Sequence, residues 1–155
     1  MEDLSLHILD IVENSIAAEA SRVEIRIVED TETDRLTLDI IDNGKGMDTE
    51  TKARALDPFF TTKSVRRIGL GLPLLSQSAR EAGGKLDLVS EPNGGTVLRA
   101  VFQLSHPDRR PLGDLAETLR VILMGKPDLD LAFEHRRDSE VIASLSSRLL
   151  QQKDS

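Results

Sequence analysis

Apolar positions change their rhythm along this chain, and each change marks an element. Over residues 4–20 they fall at 4, 8, 9, 11, 12 and 16, a spacing that gathers them on one side of a helix, with Asp3 placed to cap it. The period then drops to two. Val23, Ile25 and Ile27, then Leu36, Leu38 and Ile40, alternate with polar residues and predict strands over 22–28 and 35–41. Such alternation buries one face of each strand against a helix. The polar stretch 29–34 between them reads as a hairpin connection.

Further on, the Gly-rich run DNGKGM at 42–47 leads to a short helix near 49–56, which Pro58 ends. An irregular stretch through residue 68 is followed by a helix over 71–82, stopped by Gly83 and Gly84. Strands are predicted over 85–90 and 96–104, joined by a turn at 91–95. The run SHPDRRP at 105–111 has two prolines and no apolar residue, as a linker would. Beyond it come a helix near 112–124, a turn at 125–128, a strand-like run over 129–135 and an amphipathic tail ending near Leu150. The expected organisation is a domain over 1–104, a linker over 105–111 and a helix-strand-helix extension over 112–155 packed on the same domain. Leu115, Leu119, Ile122 and Leu123 form one apolar stripe of that extension, and Leu145, Leu149 and Leu150 another. Both would extend the core, the alternative being a partner or dimer surface.

Composition narrows the class. A chain of 155 residues has room for one well-buried core, and with four Phe, no Tyr and no Trp that core must rest on Leu, Ile, Val and Ala. The net charge of −7 opposes a nucleic-acid surface. The absence of cysteine removes disulfides, thiolate chemistry and Cys-ligated zinc, and fits a cytoplasmic location. No run approaches the length of a membrane span, so neither nucleic acid nor membrane is expected as a partner.

The chemistry-bearing residues come in four groups. Asp10, Glu13, Asn14 and Ala17 stand at i, i+3, i+4 and i+7 and so share a side of the first helix. Two carboxylates and a carboxamide amid Ile and Leu are either a plain polar edge or a site whose ligand satisfies them. A hydrated Mg²⁺ with phosphates would do so: the Asn oxygen is a hard ligand, and a carboxylate one turn earlier could orient or deprotonate water. In DNGKGM, Gly44 and Gly46 let the backbone turn and approach a ligand, while Asp42 at a strand end offers an acceptor suited to an adenine amino group. Alone this could be a mere loop, and the remaining ligands of a calcium-binding loop are missing. The run GLGL at 69–72, entering a helix, exposes backbone N–H groups suited to phosphates, without the string of a P-loop. Finally GGT at 94–96 enters a strand and is, by itself, no more than a hairpin turn.

Taken in order, these groups resemble a known family. HILDIVENSIAAEA at 7–20 resembles the N box of the GHKL superfamily (gyrase, Hsp90, histidine kinases, MutL), in the form seen in MutL, and DNGKGM resembles its G1 box. PFFTTK at 58–63 with GLGL is similar to the F and G2 boxes of histidine kinases, and GGKLDLVSEPNGGTVLRAVF to the closing strands with the G3 motif. The resemblance runs from about residue 4 to 104. It implies an α/β (α+β) two-layer sandwich, the Bergerat ATP-binding fold, with a mixed, mainly antiparallel sheet and helices on one face. It implies ATP and Mg²⁺, with Asn14 ligating the metal, Asp42 accepting from the adenine amino group and Thr96 supporting that contact through water. Gly44, Gly46 and Met47 would shape the adenine pocket. Gly69, Leu70, Gly71 and Leu72 would offer the phosphate cradle, and Phe60 and Lys63 would belong to a lid. The ATPase branch carries a Glu as general base where this chain has Asp10, one methylene shorter, which leaves hydrolysis open with Glu13 as the alternative acid.

Because the N box lies so near the first residue, no phosphoacceptor-histidine region is expected ahead of it, and His7, His106 and His135 stand in no such context. The expected protein is therefore a stand-alone, regulatory ATP–Mg²⁺ binder. It would phosphorylate a protein partner in trans, as anti-sigma-factor kinases do, or hydrolyse ATP weakly. The alternative is a non-catalytic, ATP-gated adaptor, and a homodimer is a further option.

Overall fold

The period-two runs pair with one another and make the frame. A computed structural model describes residues 3–57 and 71–148. Its strands are β1 (Arg22–Asp30), β2 (Arg35–Asp42), β3 (Lys85–Ser90), β4 (Thr96–Gln103), β5 (Asp130–Arg137) and β6 (Glu140–Ser146). Together they form one sheet in the order β3-β4-β2-β1-β5-β6. Every neighbouring pair is antiparallel except β1 with β5, which run parallel.

Four helices are described: α1 (Leu4–Ala17), α2 (Thr49–Ala55), α3 (Gly71–Glu81) and α4 (Leu115–Gly125). The alternation does what the sequence predicts. Val23, Ile25 and Ile27 of β1, Leu36, Leu38 and Ile40 of β2, and Leu98, Ala100 and Phe102 of β4 are buried on one face. Leu4, Ile8, Ile11 and Val12 of α1, Leu75 and Ala79 of α3, and Leu119 and Ile122 of α4 complete the core. Each such Leu or Ile contributes about 1.5–3 kcal/mol by leaving water. The opposite face carries ion pairs such as Arg99 with Asp39 (2.7 Å) and Arg26 with Glu24 (3.0 Å). The fold is thus the two-layer sandwich expected, with a mixed, mainly antiparallel sheet.

Residues 105–113 do more than connect. Asp3 occupies the cap position of α1, but its side chain makes no capping bond. The first helical N–H groups, those of Leu4 and Ser5, donate instead to the carbonyls of Pro111 (3.0 Å) and Leu112 (2.9 Å). A later part of the chain so satisfies groups that a helix start leaves orphaned. From there the chain enters α4, which packs beside α1, and β5 joins the sheet against β1.

The tail departs from the expected helix-strand-helix pattern. Residues Glu140–Ser146 are a strand, hairpinned to β5 through Asp138, whose φ of 54° suits the turn. The helical-looking leucine spacing loses here because two tight-turn residues place β-branched Val141 and Ile142 beside an open strand edge. Of the second predicted stripe only Leu145 lies among the described residues, and it packs on the core.

Candidate functional site

Where α1 crosses the C-terminal end of β2, the layers part. A cavity of about 240 Å³ opens there, walled by Ile11, Ile40, Leu72, Leu88 and Leu98 and by polar Asn14, Ser15, Asp42 and Thr96. The register explains why distant residues meet. Asp42 ends β2, Thr96 begins β4, and the two are direct cross-strand partners; Ser90, the last residue of β3, pairs with Thr96 in turn. Three polar side chains thus stand in a row at one end of the sheet.

Both oxygens of Asp42 are oriented. The Gly44 N–H donates to Oδ1 at 2.9 Å, and the Ser15 hydroxyl donates to Oδ2 at 2.6 Å. No cation pairs with this carboxylate among the described residues. A carboxylate oxygen accepts more than one bond, so Asp42 keeps acceptor capacity toward the cavity. Ser90 Oγ lies 2.9 Å from Thr96 Oγ1 and accepts the Met47 N–H at 2.8 Å. This ties the loop after β2 to the β3–β4 hairpin and sets Met47 as a cavity wall. The same loop is pinned to α1 by the Lys45 N–H, which donates to the Ala18 carbonyl at 2.8 Å.

Two glycines are required by close approach. Gly46 has φ 70°, and a Cβ on it would sit 1.9 Å from the Glu91 carbonyl oxygen. A Cβ on Gly71, the first residue of α3, would sit 2.8 Å from the Asp10 Cβ. The start of α3 therefore lies against α1, and Asp10 marks the junction. Leu72, in the first turn of α3, forms part of the cavity wall beside it.

The four sequence groups thus converge only in part. Asn14, Asp42, Gly46, Met47, Leu72 and Thr96 line the cavity; Gly44 holds Asp42; Gly71 and Asp10 stand at the α3 junction. The carboxamide of Asn14 makes no hydrogen bond with any described residue. Glu13 points elsewhere, into a groove between α1 and α4 lined by Leu9, Ile16, Val121 and Lys126. The cavity face of α1 is Ile11, Asn14, Ser15 and Ala18, and Glu13 lies on the other side of the helix. Phe60, Lys63, Gly69 and Leu70 lie outside the described residues. Sequence reasoning missed Ser15 and Ser90. The signal for Ser15 was there: it continues the buried stripe Ile8, Ile11, Val12, where a hydroxyl needs a partner.

Known proteins identify the family. The sequence pattern of the family described as histidine kinase-, DNA gyrase B-, and HSP90-like ATPase matches residues 2–106. The chain is similar to the sensor protein kinase FleS of Pseudomonas aeruginosa, 39% identical over 97 residues. That stretch is 63% of this chain and 24% of FleS. It is also similar to the nitrogen regulation protein NtrY of Azorhizobium caulinodans, 34% identical over 88 residues, or 56% of this chain and 11% of NtrY. The chain therefore matches less than a quarter of the length of either protein. Among solved structures it resembles the MutL ATPase domain of Aquifex aeolicus complexed with ADP, at 16% identity and a TM-score of 0.49, over 99% of this chain and 67% of that one. No described helix is long and apolar enough to cross a membrane.

Proposed function

Since the chain belongs to the histidine kinase-, DNA gyrase B- and HSP90-like ATPase family and is an ATP-binding domain related to those of sensor histidine kinases, we propose that its cavity binds ATP with Mg²⁺ for phosphoryl transfer to a protein partner. The observation that carries this reading is the convergence on one cavity of an oriented carboxylate, Asp42, and a carboxamide, Asn14, neither of which has a cationic or side-chain amide partner among the described residues.

Each part of the nucleotide has a counterpart. The apolar walls suit a planar base, Asp42 accepts from its exocyclic amino group, and Thr96 with Ser90 supplies hydroxyls beside that contact. The triphosphate runs along α1 toward the start of α3, where N–H groups and the helix dipole favour negative charge. No cluster of three acidic or histidine side chains gathers among the described residues. Asn14 would then hold Mg²⁺ for the protein, together with phosphate and water oxygens. The metal's contribution when bound is to offset charge on the phosphate oxygens.

Asp10, at the α3 junction, is placed to orient the attacking group: a partner's side chain in transfer, or water in slow hydrolysis. Glu13 faces away and takes no part. In transfer the γ-phosphoryl group moves from ATP to the partner's nucleophile, and ADP leaves. The similarity to FleS and NtrY favours transfer over an ATP-gated adaptor without turnover.

The test is one incubation with γ-labelled ATP and Mg²⁺, following bound nucleotide, released phosphate and labelled protein, with Asn14→Ala as control. Binding that disappears in the control, with little phosphate release until a receiving protein is added, is the expected result. Rapid phosphate release that Asp10→Asn abolishes would make the protein an ATPase. Equal binding by wild type and control would remove Asn14 from the site.

A further inference from the structure

One hydroxyl beside the cavity has more polar neighbours than protons. Ser90, nine-tenths buried at the end of β3, holds three polar atoms within reach of its Oγ. The Met47 N–H stands 2.8 Å away, the Gly95 carbonyl oxygen 3.0 Å and Thr96 Oγ1 2.9 Å. An amide N–H only donates, and a carbonyl oxygen only accepts. The single proton of Ser90 therefore goes to Gly95. Its lone pairs take the Met47 N–H and the hydroxyl proton of Thr96. Turning the Ser90 proton to Thr96 instead would set its lone pairs against those of Gly95 at 3.0 Å.

This fixes the sense in which Thr96 bonds. Thr96 lines the cavity and has no second polar side-chain contact among the described residues. With its proton spent on Ser90, its hydroxyl offers an entering molecule only lone pairs. Asp42, its cross-strand partner, does the same: the Gly44 N–H and the Ser15 hydroxyl donate to it, and a carboxylate returns no proton. Side chains from two adjacent strands thus present acceptors and no donor at one edge of the cavity. A base with an amino group there, as in a 6-aminopurine, meets matched acceptors directly or through water. A 6-oxopurine brings a lone pair of its own to that edge and finds no proton to share.

We infer that Ser90 is a positioning residue for base selection. By holding the Thr96 proton, it makes an acceptor of a hydroxyl that could otherwise act in either sense. A threonine without such a neighbour turns to donate or accept as the ligand requires, and so discriminates little. Ser90 itself is not among the side chains lining the cavity; it acts from behind Thr96. The inference rests on the reading that the cavity takes ATP with its base at Asp42, and adds a second determinant to it.

Equilibrium binding of ATP and of inosine triphosphate, each with Mg²⁺, to the full chain puts this to the test. Wild type should prefer ATP. Ser90→Ala frees the Thr96 proton, and the preference should fall at least about tenfold, mostly through tighter binding of inosine triphosphate. A general loosening of the fold would weaken both nucleotides alike and leave their ratio unchanged. Thr96→Val removes the hydroxyl through which Ser90 acts, so adding Ser90→Ala to it should alter the preference no further. A preference that survives Ser90→Ala would overturn the inference and leave the ATP reading standing. So would a preference that Ser90→Ala lowers equally in the Thr96→Val protein, which would trace the effect to the freed Met47 N–H. A wild type that binds both nucleotides equally would remove the base reading itself, and the role of Ser90 with it.

Discussion

The helix-facing side of the sheet carries a carboxylate at each end, one buried and one half-buried, and the two are treated in opposite ways. At one end Glu29, nine-tenths buried, meets His135 Nε2 at 2.7 Å, with Arg137 at 3.4 Å. At the other end Asp42 meets, among the described residues, only hydroxyl and amide donors and opens onto a cavity. Glu29 is closed off by cationic and imidazole partners from β5, so its role ends in the fold. Asp42 is oriented by uncharged donors and, among the described residues, has no cationic partner, which leaves acceptor capacity for whatever enters. The strand position is the same in kind; what differs is whether the protein itself supplies the counter-group.

The contrast can be tested at both ends. Asp42→Asn should weaken ATP binding by about a hundredfold, about 2.7 kcal/mol, since an amide presents donors where the base presents its own. Calorimetric titration reads this, and the melting temperature should hardly move. Glu29→Ala should do the reverse: a loss of about 2 kcal/mol in urea unfolding, because His135 and Arg137 lose their partner, with ATP affinity unchanged. If Glu29→Ala weakened binding as much as Asp42→Asn, the division between the two ends would collapse. Ser15→Ala removes one of the two donors that aim Asp42, and an approximately tenfold loss of affinity is expected, about 1.4 kcal/mol, partly restored by Ser15→Thr.

The smallest effect belongs to Asp34, near the Glu29 end. The Ser105 hydroxyl and then Gln103 hold its carboxyl below its ordinary value of 3.8. A depressed folded value means the stabilisation is complete above the unfolded value and is lost as pH falls through the folded one. Melting curves of wild type and Asp34→Asn should therefore differ slightly at neutral pH and converge only below about pH 4.

The same contrast shows what the chain made legible. Alternation in β1 and β2 was readable because each buries one face against helices, and the period of two leaves no second choice. Asp42 was readable from its loop, where close glycines follow a strand. Its partner Ser15 was half readable: its place on the buried stripe of α1 says that the hydroxyl needs a partner, but only the register of β2 says that the partner is Asp42. Glu13 lines a different groove from Asn14, which its spacing does not reveal, for a related reason. Spacing shows that it lies near Asp10 and Asn14 around the helix, but which side of that arc faces the cavity depends on where α4 packs. The parallel joining of β5 to β1 is set by contacts across about a hundred residues, beyond any local signal.

The family pattern stops at residue 106, yet the first N–H groups of α1 find their acceptors on Pro111 and Leu112. The unit that inheritance copies and the unit that folds therefore have different borders. In hydrogen exchange, the start of α1 should open together with residues 111–112, because neither set of groups keeps its bond when the other leaves. A graft of residues 2–106 into another protein would carry the whole recognisable motif set but leave the helix that bears Asn14 frayed at its first turn. The recipient would have to supply two carbonyl oxygens there, a requirement that appears in no motif.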